Sequence, residues 1–159
     1  VFQQMNHRDG NWQVQLRSYF QGEGDEDYEI GGAVLEDALW VTLRLDPQAL
    51  PTGEFEAIPG SVHSRFAHER TLPAQAEGSL ERDGRRLVYR LEYPGANRTL
   101  TIRFDAEFPH IIREWEEVAR GGRTHAVLKE RIMNSYYWQL NAPGDRKLRK
   151  KLGLEPVAD

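Results

Sequence analysis

Cysteine is absent from the 159 residues, which excludes disulfides, thiolate metal sites and cysteine nucleophiles together. Long apolar runs are absent as well. No stretch approaches the roughly 20 apolar residues that a membrane-spanning helix needs, so no transmembrane segment is expected. Lysine is scarce: 17 of the 21 basic residues are Arg, which reads as a compositional bias and not as a nucleic-acid signal. The chain opens Val1-Phe2-Gln3 with neither an initiator Met nor the charged-then-apolar leader of a signal peptide. Residues 1–7 run straight into apparent structure, so a segment upstream of Val1 is expected.

What is present is enough chain for one domain, with 39% hydrophobic and 29% charged residues. Four Trp, six Tyr and six Phe carry much of the burial available to it. The net charge of −4 conceals an asymmetry, since residues 1–80 hold 5 basic and 13 acidic side chains and residues 81–159 hold 16 and 12. Such a split can steer partners, although in a β protein the two halves usually interleave in space.

The dominant hydrophobic period is two, the signature of half-buried strands. Trp12, Val14, Leu16 and Phe20 alternate with polar neighbours. So do Leu39, Val41, Leu43 and Leu45, then Leu87, Tyr89, Leu91 and Tyr93, then Leu100, Ile102 and Phe104. Segments 111–118 and 126–133 continue the pattern less cleanly. Asp83-Gly84 between two alternating runs is a strong hairpin signal. Pro94 to Asn97 and Gly121-Gly122 link further pairs, and Asp46-Pro47 with Leu50 to Gly53 brackets a single turn. Helix is expected over Asp145 to Gly153, where Asp145 can cap, Leu148 and Leu152 fall four apart, and Gly153 stands at the C-terminal end. Glu36 to Leu39 could add one turn. The fold class is therefore mainly β: an antiparallel twisted sheet or half-barrel of seven to nine strands, lipocalin-like or lipoprotein-carrier-like, with a short C-terminal helix packed on it. Residues 1–154 read as one domain and 155–159 as a tail.

Several phrases carry a family resemblance. They are Ser18 to Asp25; Arg44 through Leu50-Pro51-Thr52-Gly53 to Ile58-Pro59; Ser64-Arg65 with His68; Tyr93-Pro94 to Asn97 and on to Ile102; Phe108-Pro109 to Trp115-Glu116-Glu117; and Tyr137-Trp138 to Asp145 and Leu148-Arg149. Together, over roughly residues 1–154, the chain resembles a family of bacterial envelope proteins found largely in the Bacteroidetes, some of whose members carry the name septum formation inhibitor. The resemblance implies a longer N-terminus with a secretion or lipoprotein signal, hence a periplasmic or outer-membrane-anchored location. It brings no catalytic residues. Maf-type nucleotide pyrophosphatases, to which that name points, use a Ser-x-Ser-x-x-Arg run in an α/β fold, and neither the run nor the alternation of strands with helices occurs here.

Individual chemistries fare poorly on spacing. His63 and His68, five apart, face opposite ways on a strand and about 140° apart on a helix, so no metal is expected. Glu23, Asp25, Glu26, Asp27 and Glu29 lack EF-hand spacing and read as a solvated acidic turn. Glu114 and Glu116 share a strand face beside Trp115, which suggests a glycosidase pair, but two carboxylates on one strand usually mark an exposed edge. No Gly-x-Ser-x-Gly elbow presents a nucleophile. The basic segment Arg146 to Lys151 is set in an acidic protein with no basic, aromatic-lined strand face, so no nucleic-acid partner is expected. Its Leu148 and Leu152 form a stripe too narrow for a membrane, with no Trp or Phe beside them in sequence, and are expected to dock on the sheet. The aromatics remain. Trp12, Tyr89, Tyr93, Phe104 and Trp115 could line a curved sheet around an apolar ligand, or fill an ordinary core. The expected function is a non-enzymatic envelope binding or assembly protein without cofactor, whose partner is an envelope protein or a lipid-like ligand. A lipid carrier and, after it, a hydrolase are the alternatives.

Overall fold

The computed structural model describes residues 2–22 and 24–155. Glu23, one member of the acidic run, and the end of the tail, residues 156–159, lie outside the described residues. The chain divides into two compact units, residues 1–125 and 126–159, each taken by itself below.

In the first unit, β1 (Phe2–Arg8), β2 (Asn11–Arg17) and β3 (Glu26–Gly31) form a three-stranded antiparallel sheet in sequence order. Then come β4 (Val34–Leu35), α1 (Glu36–Leu45), β5 (Gly53–Ile58), α2 (Ser61–Phe66), β6 (Ala74–Asp83), β7 (Arg86–Tyr93), β8 (Arg98–Asp105), β9 (Ile112–Ala119) and β10 (Gly122–Val127). Strands β4 to β10 make a seven-stranded sheet in sequence order, antiparallel except for the short parallel pair β4 and β5. Mainly β and antiparallel is thus the fold, and among the described residues no sheet closes into a barrel. Ten strands are described where seven to nine are expected, because β1 and the two-residue β4 carry no clean alternation.

The runs in β2, β7 and β8 land where their period puts them, except that Phe20 lies past the end of β2 and is exposed. Leu87, Tyr89, Leu91 and Tyr93 of β7 are all buried, while Arg90 between them is exposed. Asp83 pairs with Arg86 across the Asp83-Gly84 hairpin, with Gly84 at φ +58° as the tight turn needs. A bulge in β9 leaves Arg113 without a cross-strand partner and re-aims its guanidinium at Asp105, which it reaches at 2.6 and 2.9 Å.

Two expectations need correction. Leu39 to Leu45 is helix, not strand: of its four alternating apolar residues only Leu39 and Leu43 are buried, one helical turn apart, whereas Val41 and Leu45 are exposed. Leucines at every second position satisfy a strand face, but the same residues hold an i, i+4 pair, and the carboxylates Glu36 and Asp37 in the first turn with Arg44 in the last favour helix. Segment 126–133 is strand only to Val127. The C-terminal helix, Pro143–Leu152, is a 3₁₀ helix; Asp145 accepts from the Ala142 N–H at 3.0 Å and Gly153 ends it at φ +66°, both as expected.

The main core lies on one face of the large sheet under α1. Leu39 and Leu43 meet Leu50, Tyr89, Leu91, Leu100, Ile102 and Phe104 there, all buried. A smaller core, Val14, Ile30 and Ile58 with Trp12, Met5 and Tyr28 against them, joins the three-stranded sheet to the end of β5. Complete burial of one such aliphatic or aromatic side chain contributes about 1.5–3 kcal/mol.

Candidate functional site

Arg98 opens β8 in the same inward phase as Leu100, Ile102 and Phe104, which carries its guanidinium into the core at 2% side-chain exposure. A charge there needs partners, because burial costs several kcal/mol per ion in real proteins. It has them on two sides. Nη1 donates to Glu36 Oε2 at 2.6 Å and Nη2 to Glu36 Oε1 at 2.7 Å, a two-pronged pairing, and Nε donates to Glu117 Oε1 at 3.0 Å. The Tyr93 hydroxyl donates to Glu36 Oε2 at 2.8 Å. Burial, then the Glu36 charge, pushes the Tyr93 hydroxyl's pKa up, so it stays a donor. Burial alone would lower the Arg98 pKa, but the bonds to Glu36 and Glu117 outweigh it and raise it.

This buried cluster reaches the surface through Glu117 and α2. The Asp37 carboxylate accepts from the Ser61 N–H at 3.1 Å, tying the start of α2 to the start of α1. Gly60 fits this junction because a Cβ there would stand 2.7 Å from Glu36 Oε1, an atom already held in place by Arg98. One turn on, His63 Nδ1 lies 3.1 Å from Glu117 Oε1. Burial would raise the Glu117 carboxyl, but the hydrogen bond and charge of Arg98, with His63 beside it, hold it below the usual carboxylate range. An ionised carboxylate only accepts, so the proton sits on His63 Nδ1 and a neutral ring keeps Nε2 as an acceptor. Both bonds to Glu117 fall on Oε1, and among the described residues Oε2 has no hydrogen-bond donor.

Above this pair is a cleft of about 630 Å³ between α2 and the β9–β10 hairpin. His63, Glu117 and Thr124 give it polar groups; Val62, Phe66 and Trp115 give it apolar walls. Trp115 is backed by Trp40 of α1, edge to face at 6.0 Å between ring centres. On the other side of α2 is a second cleft of about 540 Å³, lined by Gln3, Met5, Leu35 and Arg65. Val62 and Phe66 border both clefts and stand 66% and 84% exposed.

The five aromatics singled out in sequence do not meet in one site. Tyr89, Tyr93 and Phe104 are buried under α1 and offer a ligand no surface, and the Tyr89 hydroxyl is spent on the Pro51 carbonyl at 2.9 Å. Trp12 belongs to the smaller core, its indole N–H donating to the Ala33 carbonyl at 3.0 Å. Of the five, Trp115 lines the cleft beside α2. Glu114 and Glu116 do share a face of β9 and are paired there with cations, Glu114 with Arg103 at 3.4 Å and Glu116 with Arg123 at 2.6 Å. Glu117 points to the opposite face. The described carboxylates of the acidic run are spent internally, Asp27 on Arg17, Glu26 on Arg70 and Glu29 on Asn11. His63 and His68 are not brought together as ligands, and no cluster of three or more metal-ligating side chains occurs among the described residues.

Four residues of the cluster, Glu36, His63, Arg98 and Glu117, were not legible as a group. Arg98 in the inward phase of an apolar strand was the available signal. Comparison of the chain with protein-family models, curated proteins and solved structures returned no match. The arrangement therefore speaks through its own chemistry. With the His63 ring neutral it offers two hydrogen-bond acceptors, His63 Nε2 and Glu117 Oε2, between apolar walls. Among the described residues no hydroxyl is hydrogen-bonded to His63.

Proposed function

We propose that the protein is a non-enzymatic binding protein of the cell envelope, and that its ligand occupies the cleft between α2 and β9. One observation carries this reading: the His63–Glu117 pair, fixed from beneath by buried Arg98, is recessed between Trp115 and Phe66. A few oriented polar groups set in a mostly apolar cleft are the usual make-up of a ligand site. The ligand that fits is an amphiphile, with an apolar body against Trp115 and a hydroxyl or amine donating to the two acceptors. A lipid-like molecule meets that description, held against the part of the inner sheet face that Trp115 and Glu117 of β9 supply, beside the core that α1 covers. The envelope location is supported by the resemblance of the chain's sequence phrases alone.

Native mass spectrometry of the full-length protein, prepared from its own host without organic solvent, tests this. The expected spectrum carries a non-covalent adduct of several hundred daltons, the size a cleft of this volume holds. Trp115→Ala is expected to lose most of the adduct while melting within a few degrees of the parent. A bare chain mass for the parent, or an adduct indifferent to Trp115→Ala, would overturn the cleft as the binding site.

A further inference from the structure

We propose that residues 126–155 form a docking surface for an anionic lipid bilayer. Among the described residues of this segment none is buried, and ten large apolar side chains stand exposed, as many as in all the described residues of the first unit. A unit of this size with no core of its own is too small to hold these side chains out of water unaided. Three consecutive aromatics, Tyr136, Tyr137 and Trp138, are 66%, 73% and 57% exposed. Rings of this kind, apolar with one polar edge, partition to the boundary between headgroups and acyl chains.

Charge names the occupant. Residues 126–155 hold seven Lys and Arg against three Asp and Glu, five of the cations in Arg146 to Lys151. Residues 1–125 hold 14 against 21. The first unit therefore repels an anionic surface and the second is drawn to it, and screening over about 10 Å at 0.1 M salt lets the local patch decide. The two leucines of the 3₁₀ helix are not alone, as their sequence neighbours suggest. Leu148 and Leu152 line a pocket of about 360 Å³ with Ile132, Tyr137 and Leu140, and Arg146 and Arg149 line it too. The Asp145 carboxylate lines it as well, held by the Ala142 N–H, but the two guanidiniums outnumber it, and a slot with apolar walls beside them suits an acyl chain and its phosphate, which guanidinium binds in a two-pronged way. The backbone from 128 to 136 has no regular structure. A fluid bilayer accommodates such a surface, whereas a protein partner would have to match its shape.

Co-sedimentation of the full chain with phosphatidylcholine vesicles, with and without about one third phosphatidylglycerol, tests the proposal. Binding is expected only with phosphatidylglycerol, and is expected to be lost when salt is raised to about 0.5 M. Each cation removed near such a surface weakens binding by about fivefold, so Lys147→Gln, Lys150→Gln and Lys151→Gln together should cost about a hundredfold. Trp138→Ser should weaken it further, while Tyr19→Ser in the first unit, at a ring 79% exposed and outside the cleft, should leave it unchanged. These variants replace exposed side chains, and an unaltered thermal melt verifies the fold. Equal sedimentation with neutral vesicles, no sedimentation, or indifference to the triple substitution overturns the proposal. So does a concentration-dependent self-association in sedimentation velocity that the triple substitution abolishes while vesicles stay unbound, which would make a second, acidic copy the occupant. The cleft under α2 plays no part in any of these outcomes.

Discussion

Arg98 decides more about this molecule than any other single side chain. At 2% exposure it answers two carboxylates from different elements, Glu36 of α1 and Glu117 of β9. A buried ion pair adds little net stability, but losing one partner strands a charge in the core, so the geometry of all three groups is fixed together. Glu117 transmits that fixity to His63, and its ionisation gives the site a pH dependence of known sign. Its carboxyl is held below the ordinary value in the folded protein. The unfolded chain therefore binds the proton more readily. The stabilisation is complete above the unfolded carboxylate value of about 4.3 and is lost as pH falls through the lower folded value. Glu117→Gln should thus flatten part of the acid limb of a stability-versus-pH curve measured by urea unfolding and lower stability at pH 7. A variant curve parallel to the parent's below pH ~5 would show that Glu117 does not titrate with folding.

At the scale of elements, the decisive case is α1. Its leucines fit a strand face and a helix face equally well by count, and only the packing partner separates the two. A strand would turn Leu39, Val41, Leu43 and Leu45 to one side. The helix turns Leu39 and Leu43 to the sheet and leaves Val41 59% exposed. Leu43→Ala should therefore cost about 2–5 kcal/mol, as deletion of a fully buried leucine does, while Val41→Ala should stay within about 0.5 kcal/mol. Equal losses at the two positions, read from denaturant midpoints, would return this segment to a strand. The hairpins were legible because their turn residues are local: Gly84 and Asn97 adopt positive φ where Asp-Gly and Pro-Gly-Ala-Asn stand in the chain. The site was not. His63 and Glu117 are 54 residues apart and Glu36 and Arg98 are 62 apart, and no spacing rule spans such distances. What local pattern did carry was phase. Arg98 sits two residues before Leu100 on the inward side of β8, and Glu117 two after Trp115 on the cleft side of β9, so each is aimed correctly by strand alternation even though its partner is remote.

For the whole molecule, the same alternation that revealed the sheets could not reveal that the last part of the chain is a different kind of structure. Residues 126–133 looked like one more strand because Val127, Leu128, Ile132 and Met133 are apolar; they are exposed, and the ladder stops at Val127. Apolar residues without a core differ from apolar residues in one by their protection, which makes the difference measurable. Opening of a segment with few backbone hydrogen bonds and no buried side chain costs little free energy, whereas opening of a strand between two others approaches the global cost. Trypsin should therefore cut first at Lys129, Arg131 or within Arg146 to Lys151. The exposed arginines of the β6–β7 hairpin, Arg82, Arg85 and Arg86, should resist, because their backbone is held in the ladder or in a tight turn. A time course read by mass spectrometry should show fragments ending between residues 129 and 151 long before any cut near residue 85. The melting temperature of the surviving fragment should match the parent's within a few degrees, since every residue of the two cores lies before residue 116. Early cleavage at the β6–β7 turn, or loss of the cooperative melt with the first cut, would mean that the C-terminal unit is integral to the β fold and not a separate surface carried by it.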